Sequence, residues 1–335
     1  MFDRIKSIPH ISRDIAFFKG EVVYSDGMTV VHWKPPYQEA NSYTHNSKLV
    51  IEKIDVTGIW IRDLTSLYQI TSTVKHSIHL ANGFGLQVKY ISEHKILVRR
   101  KVDDRLWMMQ LLDATNGLVL WEYPAPDLSD GYIENQTLLI REGTASISGL
   151  SIRNSTKVWQ FYVKEKGHHF SDKGPTDGEI RNLWIHDNLV IIEVARQWLV
   201  ALDISTGAVC WEVPFSSQWA FYCSLYEGVL YIFSEHYYEI DAQSGQILRK
   251  LVHRPLFESV DFTPVFHTAP AIDAKFLAIA SGNSPKLLVI NRQDFTIHQC
   301  IQLKNSVPLS NKPVLHEGYL LQLERDETLQ IFKQQ

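Results

Sequence analysis

One short phrase recurs along this chain of 335 residues. It consists of an aliphatic run, an aspartate, a glycine four residues later and a tryptophan four residues after that. It reads LLDATNGLVLWEY at Leu111–Tyr123 and ALDISTGAVCWEV at Ala201–Val213. A third copy, EIDAQSGQILRKL, occupies Glu239–Leu251, and a degenerate copy, LSIRNSTKVWQF, occupies Leu150–Phe161. Because a phrase that recurs along a chain indicates one supersecondary unit copied several times, the repeat constrains the fold more than any other feature.

The residues around each copy predict β-structure. Runs of Val, Ile, Leu, Tyr and Trp, such as HKILVRR and LWMMQLLD, are separated by Gly, Asn and Asp, a pattern typical of short strands joined by tight turns. Within the phrase we expect the Asp to hydrogen-bond the turn backbone and the Gly to adopt a positive φ. The Trp is expected to wedge between neighbouring sheets. Four strands per unit of ~45 residues predict an all-β fold, a single β-propeller domain over residues 1–335.

The number of blades follows from the positions equivalent to the Asp. There are six of them, at Asp63, Asp113, Ser151, Asp203, Asp241 and Asn291. The end of the chain, GYLLQLERDETLQIFKQQ, supplies a further strand pair, and DRIKSIPHI at the beginning could add the outer strand of that last blade. Pairing of the two terminal segments would leave no open sheet edge there. Seven four-stranded blades are therefore predicted, with six and eight as the alternatives.

The phrase resembles the repeat of the pyrroloquinoline quinone (PQQ)-like propeller superfamily. The match is good at Asp113, Gly117 and Trp121 and at the equivalent residues of the second copy. The superfamily includes quinoprotein dehydrogenases and the propeller lipoprotein of outer-membrane assembly, so the resemblance implies the fold but not one function. The dehydrogenases are typically longer, are exported, and several carry adjacent cysteines beside the cofactor. Since none of these features is found here, no quinone or calcium ligand is assigned and no cofactor is expected.

Composition narrows the class of protein. The net charge of −4 provides no basic field for nucleic acid. The first residues, MFDRIKSIPHISRD, are charged from the third position and lack the apolar core of a signal peptide. No apolar run approaches the ~18 residues of a membrane span. The three cysteines, Cys210, Cys223 and Cys300, are too few and too far apart for a disulfide scaffold. We therefore expect a cytoplasmic monomer that binds neither nucleic acid nor membrane.

The spacing of the repeat suggests where a binding site lies. Successive Asp-equivalent positions are separated by 50, 38, 52, 38 and 50 residues, and the longer steps place extra residues near 70–85, 162–181 and 252–271. Connections from the outer strand of one blade to the inner strand of the next share one face of a propeller, and such loops often bind partners. The predicted partner-binding residues are His168, His169, Phe170, Asp172, Arg254, Phe257, Phe262, Phe266 and His267. The alternative is three surface insertions without a special role. No metal site is predicted, because the histidines lack defined ligand spacing.

These observations favour a non-catalytic propeller that binds a protein partner through one loop-rich face with aromatic anchors and a charged rim. A specialised form of this role is a bacterial immunity protein that neutralises a cognate toxin or secreted effector. One alternative is a quinone-dependent or other enzyme of the superfamily. Another is a propeller that binds a sugar or small molecule, with some of the nine tryptophans stacking on sugar rings. No catalytic motif occurs in a persuasive context.

Overall fold

The computed structural model describes the chain outside several short segments. Those segments are residues 12–14, 56–57, 64–65, 71–73, 80–86, 93, 103–106, 126–130, 164–168, 172–173, 177, 195–197, 215–221, 265–268, 283 and 308–311. The described residues form eight four-stranded sheets, here called blades, and one two-stranded hairpin. Where the pairing register of a blade is described, neighbouring strands run antiparallel, as in blade 3. The all-β propeller fold class is confirmed.

The elements follow one another in a regular order, beginning with β1 (Phe2–Ile8), which belongs to blade 8. Blade 1 contains β2 (Ile15–Phe18), β3 (Glu21–Asp26), β4 (Thr29–Trp33) and β5 (Ala40–Thr44). Blade 2 contains β6 (Val50–Asp55), β7 (Gly58–Arg62), β8 (Ser66–Ile70) and β9 (Val74–His79). Blade 3 contains β10 (Gln87–Ile91), β11 (Lys95–Lys101), β12 (Trp107–Asp113) and β13 (Val119–Ala125). Blade 4 contains β14 (Gly131–Glu134), β15 (Thr137–Glu142), β16 (Ser146–Ser151) and β17 (Lys157–Tyr162).

The hairpin of β18 (His169–Ser171) and β19 (Gly174–Thr176) lies between blades 4 and 5 in the chain. Blade 5 contains β20 (Ile180–His186), β21 (Leu189–Val194), β22 (Trp198–Asp203) and β23 (Val209–Pro214). Blade 6 contains β24 (Tyr222–Tyr226), β25 (Val229–Phe233), β26 (Tyr237–Asp241) and β27 (Ile247–Leu251), and α1 (Arg254–Glu258) follows it. Blade 7 contains β28 (Ala271–Ile272), β29 (Phe276–Ala280), β30 (Lys286–Asn291) and β31 (Ile297–Gln302). Blade 8 contains β32 (Val314–His316), β33 (Tyr319–Leu323) and β34 (Leu329–Gln334), completed by β1.

The chain divides into two compact units. The first comprises Met1–Ile51, Ser217–Ala242 and Gln246–Gln335 and holds blades 1, 6, 7 and 8. The second comprises Glu52–Ser216 with Gln243–Gly245 and holds blades 2 to 5. No finding tests the assignment of residues 1–335 to one domain, which stays a prediction. In the described parts of the chain no helix has the length and hydrophobicity of a membrane span.

Blade 8 joins the two ends of the chain, as the sequence predicts. β1 pairs antiparallel with β34 from Phe2 opposite Gln334 to Ile8 opposite Leu329. The Phe2 ring is 2% exposed and meets Phe276 of blade 7 edge to face, with ring centroids 5.5 Å apart. Both the ladder and the packing of an aromatic ring therefore hold the N-terminal strand in place.

The predicted blade count of seven is wrong, because blade 1 carries no copy of the phrase. Trp33 ends the third strand where other blades have Asp, and Tyr37 takes the position of the Gly. Tyr37 adopts a φ of +64°, close to the +74° of Gly117. Only this positive φ is shared, because the Tyr37 N–H donates to the Lys34 carbonyl at 2.7 Å, three residues back, whereas the Gly117 N–H donates to Asp113, four residues back. A search for Asp and Gly therefore misses the turn of blade 1.

The anchor at Asp63 is also misplaced. This residue follows β7 and precedes β8, so it lies between the second and third strands of blade 2. The equivalent position is Ile70, at the end of the third strand. Asp63 still supports a turn, because its carboxylate accepts a hydrogen bond from the Ser66 backbone N–H at 2.7 Å. Because Asp is common at every kind of tight turn, an Asp alone does not identify the turn after the third strand.

The phrase itself works as predicted in blades 3 and 5. The Asp113 carboxylate accepts a hydrogen bond from the Thr115 N–H at 2.7 Å, and the side-chain and backbone hydrogen bonds from Thr115 lower the pKa of Asp113. The Gly117 and Gly207 N–H groups each donate to the preceding Asp carbonyl at 2.8 Å, and Gly207 adopts a φ of +70°. Asp and Gly therefore shape the turn locally.

In blades 3 and 4 the tryptophan links the blade to the next one, which confirms the predicted wedge there. Trp159 of blade 4 donates its indole N–H to the carbonyl of Ile204 in blade 5 at 2.8 Å, and Trp121 of blade 3 does the same to Ile152 of blade 4 at 2.7 Å. The Trp159 ring covers Gly207, where an added Cβ would lie 2.6 Å from the indole. Glycine is therefore needed both for the turn and for the ring above it.

In blade 6 an arginine replaces the tryptophan. Arg249 donates to the carbonyls of Arg292 and Gln293 in blade 7 at 3.0 and 2.8 Å. Arg292 is the residue after the blade 7 anchor, so its carbonyl is the equivalent acceptor. Another donor thus keeps the hydrogen bond between the blades. This explains why the third copy of the phrase lacks the tryptophan.

Candidate functional site

The connection between blades 6 and 7 contains a folded segment, Val252–Pro264, which is called the α1 platform. Leu251 ends β27 and the helix α1 begins at Arg254, with Pro255 in its first turn. Proline is favoured in the first helical turn because its fixed φ suits the helix and no N–H is lost there. The Phe262 N–H then donates to the Phe257 carbonyl at 2.9 Å, which folds the chain back over the helix. The result is a compact turn rather than an open loop.

Aromatic packing fixes the α1 platform to blade 6. Phe257 and Phe262 are 2% and 4% exposed and meet at a centroid distance of 5.5 Å. Phe257 also stacks on Phe233 of β25 at 6.1 Å, and His253 donates from Nε2 to the Ser234 carbonyl at 2.7 Å. Burial of two Phe rings at ~1.5–3 kcal/mol each makes the platform a packed part of its unit.

Polar contacts fix the same segment to blade 7. The Lys286 ammonium on β30 donates to the Val260 carbonyl at 3.2 Å, to the Asp261 carbonyl at 2.7 Å and to the Asp261 carboxylate at 2.9 Å. The Gly282 N–H donates to the Thr263 carbonyl at 2.8 Å. One lysine therefore holds the turn after the helix, and hydrogen bonds to a charged donor are stronger than neutral ones.

The outer face of the α1 platform is charged and exposed. The side chains of Arg254, Glu258 and Asp261 are 81%, 71% and 98% exposed, and Val252 beside them is 64% exposed. Arg254 and Glu258 lie one helical turn apart, with 4.0 Å between Nε and Oε1. An exposed pair of this kind adds only ~0–1 kcal/mol to stability. Arg254 and Glu258 can therefore make new contacts without unfolding the segment beneath them, whereas the exposed Asp261 carboxylate also binds Lys286 at 2.9 Å.

The structure places the predicted partner-binding residues unequally. Arg254 is exposed on the α1 platform, whereas Phe257 and Phe262 pack the core and are not surface anchors. His169 and Phe170 are on strand β18, where only the backbone is described. Four residues, His168, Asp172, Phe266 and His267, lie outside the described residues. The partner-binding role of the set stays a prediction.

Two of the three predicted long loops are real connections between blades. Residues 162–181 include the β18–β19 hairpin between blades 4 and 5, and residues 252–271 include the α1 platform. The segment 70–85 is not a loop, because it contains β9, the outer strand of blade 2. That error follows from the misplaced anchor at Asp63, which moved a strand into the apparent insertion.

A cavity of about 530 Å³ lies in the first unit, along the first strands of blades 1, 6, 7 and 8. Its wall includes aliphatic and aromatic side chains, among them Phe17, Leu225, Ile272 and Leu315, together with Ser224 and Lys312. Each of these strands stands at the end of its sheet, so its free backbone edge adds polar groups to the wall. The volume is in the usual range for a small-ligand pocket.

A second, more open cavity of about 700 Å³ continues from the first and shares Tyr226, Ile272 and Leu315 with it. Lys275 and Glu317 line it and are exposed. Both residues are in turns between the first and second strands, whereas the α1 platform joins a fourth strand to a first strand. In an antiparallel blade these turns lie at opposite ends of the strands, so the platform and this cavity mouth are separate surfaces.

Metal-ligating side chains do not cluster in the described parts of the chain: no group of three or more His, Cys, Asp or Glu is arranged to hold an ion there. Sequence reasoning also missed Glu258 on the platform and Lys286 of β30, which fixes the platform to blade 7. The available signal was Arg254 and Glu258 at helical spacing after Pro255, in a segment read only as a loop.

Solved structures share this fold at low sequence identity. BamB from Moraxella catarrhalis has a TM-score of 0.62 at 16% identity, with 99% of this chain and 100% of that chain covered. Saccharomyces cerevisiae Sqt1 has a TM-score of 0.66 at 9% identity, with 99% of each chain covered. AztD from Citrobacter koseri has a TM-score of 0.58 at 11% identity, with 89% of this chain and 87% of that chain covered.

No protein-family model matches the chain, and no curated protein matches it. The likeness to BamB and AztD bears out the resemblance to PQQ-like propellers at the level of the fold. At these identities it shows the fold alone.

Proposed function

We propose that this chain is a non-catalytic propeller that binds a protein partner through the α1 platform. The observation that carries the proposal is a contrast within that segment: its base is buried and fixed to blades 6 and 7, whereas the Arg254 and Glu258 side chains on its outer face are 81% and 71% exposed. A rigid surface loses little conformational freedom on binding, so more of its contact energy is available for affinity. The eight-bladed fold is compatible with such an interaction scaffold.

The partner expected at this face carries charges complementary to Arg254 on one side and to Glu258 and Asp261 on the other. Rim charges of this kind govern association rate and specificity more than total affinity. The class of partner inferred from the sequence is a toxin or secreted effector, which would make the chain a cytoplasmic immunity protein. That finer role is part of the proposal and is tested by identifying the partner.

The test is an affinity capture of the tagged protein from its native host at pH 7.5, quantified by mass spectrometry. The test variant combines Arg254→Glu with Glu258→Arg, which keeps the net charge and the spacing of the ion pair but inverts the surface pattern. The matched control combines Lys275→Glu with Glu317→Arg at the opposite end of the strands. We expect a stoichiometric partner that the first variant loses and the control retains. Equal capture by all three proteins would contradict binding through the platform.

A second candidate function is binding of a small molecule in the 530 Å³ cavity, which its size and its position along four strands favour. No tryptophan is among the described residues of its wall, so its aliphatic lining suits an apolar molecule better than a stacked sugar ring. A thermal-shift screen of apolar metabolites, with a glycan array and a titration with quinone and calcium beside it, separates these possibilities. A reproducible shift by an apolar compound, with a blank array, is the expected result for this candidate.

A further inference from the structure

The α1 platform is attached through a buried histidine at its base. His253 is 4% exposed and immediately precedes the helix. Its Nε2 donates to the Ser234 carbonyl at 2.7 Å, which fixes the neutral ring with its proton on Nε2. The ring stacks on Phe257 at a centroid distance of 4.6 Å and lies 6.0 Å from Phe233. The imidazole is therefore part of the aromatic packing that holds the platform on blade 6.

The other ring nitrogen has no partner among the described residues. Nδ1 is buried and accepts no hydrogen bond from any of the residues that the structure describes. A proton on Nδ1 would add a second N–H donor and a positive charge between two phenylalanine rings. Burial of a charge and of an unpaired donor is unfavourable, so protonation favours a state in which the ring reaches water.

The charged groups around His253 add to this effect. His236 in the turn between β25 and β26, and Arg254 on α1, both act against a positive charge on the imidazole. On β26 the Glu239 carboxylate accepts from the Tyr237 hydroxyl at 2.7 Å and lies 3.3 Å from Arg249, so it is already engaged. Burial first, and then His236 and Arg254, hold the pKa of His253 below its ordinary value of 6.5, against the opposing effect of the Ser234 carbonyl.

We propose that His253 is an acid-sensitive latch, whose protonation at Nδ1 releases the α1 platform from blades 6 and 7 and so removes the partner-binding face. That the released face binds a partner rests on the proposed function. The acid-induced release itself is a property of this chain alone and needs no partner. Because the folded group binds its proton less readily than the released one, docking is fully stable above pH 6.5 and weakens as the pH falls below it.

The test is hydrogen exchange of the partner-free protein, with rates corrected for the intrinsic effect of pH. Five platform amides donate hydrogen bonds within the segment: Phe257, Ser259, Val260, Asp261 and Phe262. They report on docking because a helix as short as α1 does not persist in water without its packing. We expect their protection to fall towards a limit of about tenfold per pH unit below 6.5, the slope of one linked proton, while the strands of blade 7 keep theirs.

Three variants locate the proton. His253→Gln retains an N–H donor for Ser234 and His253→Phe retains the ring packing, and neither titrates; each should show pH-independent protection. His236→Gln should retain the one-proton slope of the wild type, because His253 still titrates. Unchanged wild-type protection between pH 7.5 and 5.5 would overturn the latch, as would the same acid-induced loss in either His253 variant. Both His253 variants could lack protection already at pH 7.5. The test then rests on how the platform protection of the wild type and of His236→Gln changes with pH: a slope of one proton supports the latch, and a slope of zero refutes it. Since no partner is present, failure here leaves the capture experiment at pH 7.5 to judge the binding role by itself.

Discussion

Replacement of Gly207 by alanine should destabilise the second unit, because Gly207 both adopts the positive φ of the turn and leaves room for the Trp159 ring. The backbone at Gly207 has a φ of +70°, and a Cβ there would lie 2.6 Å from Cδ2 and Cε3 of Trp159. Trp159 is only 9% exposed and donates to the Ile204 carbonyl at 2.8 Å, so the ring cannot swing away without losing that bond. The added methyl group would therefore clash with a ring that cannot move away.

The loss of unfolding free energy in Gly207→Ala has two parts, a backbone cost and a packing cost. An alanine in the left-handed region costs about 1–2 kcal/mol. Forcing a methyl group into a packed contact costs about 1–3 kcal/mol, so the total for Gly207→Ala is about 2–5 kcal/mol in the free energy of unfolding. Gly143→Ala is the matched control, because Gly143 has a φ of +65° in the same unit and nothing within 4 Å of an added Cβ. It should cost only the backbone part, about 1–2 kcal/mol.

A double-mutant cycle isolates the contact. Trp159→Ala alone should cost about 3–5 kcal/mol through the cavity that it leaves. With the ring gone, Gly207→Ala keeps only its backbone cost, so the double variant should be more stable than the sum of the two single variants by about 1–3 kcal/mol. Urea unfolding followed by far-UV circular dichroism measures all four proteins without relying on tryptophan emission. Equal costs for Gly207→Ala and Gly143→Ala, or strict additivity in the cycle, would refute this explanation of the phrase.

Three further outcomes are expected. Lys286→Met should raise the hydrogen-exchange rates of the α1 platform at least tenfold, because three hydrogen bonds to the platform are lost. The melting temperature should change little, because no hydrogen bond between blade strands is lost. Unchanged exchange would contradict the anchoring role of Lys286. Phe2→Ala should lower the free energy of unfolding by about 3–5 kcal/mol by chemical denaturation, whereas the exposed neighbour Met1→Ala should be neutral within ~0.5 kcal/mol. Arg249→Leu should cost about 1–3 kcal/mol, because two carbonyl oxygens of blade 7 lose their donor, and Lys250→Leu, a change on the same strand, should cost less than half as much.

Much of the fold can be predicted from the sequence because the phrase encodes a turn and a contact between blades together. Asp113, Gly117 and Trp121 each occupy the role that their chemistry suggests. The count failed at blade 1, where Tyr37 adopts the positive φ that glycine usually provides. A backbone conformation can be retained while the residue that normally signals it is lost, and a single sequence does not show such a replacement.

The site was harder to predict for a related reason. Aromatic residues in a loop-length segment were expected to be surface anchors, yet Phe257 and Phe262 are the hydrophobic base of the α1 platform. Hydrophobicity alone does not distinguish a ring that meets a partner from one that packs the insertion against its own blades. The exposed groups are instead the charged ones, Arg254, Glu258 and Asp261, which composition would assign to any solvated surface.

The most direct test of the central claim is site-specific photo-crosslinking in the native host. A benzophenone amino acid is placed at position 258 on the α1 platform and, in a separate protein, at position 317, whose side chain is 80% exposed at the other end of the strands. Partner binding through the platform predicts one discrete crosslinked protein from position 258 under illumination, and none of that mass from position 317. The same crosslinked protein from both positions, or from position 317 alone, would contradict it.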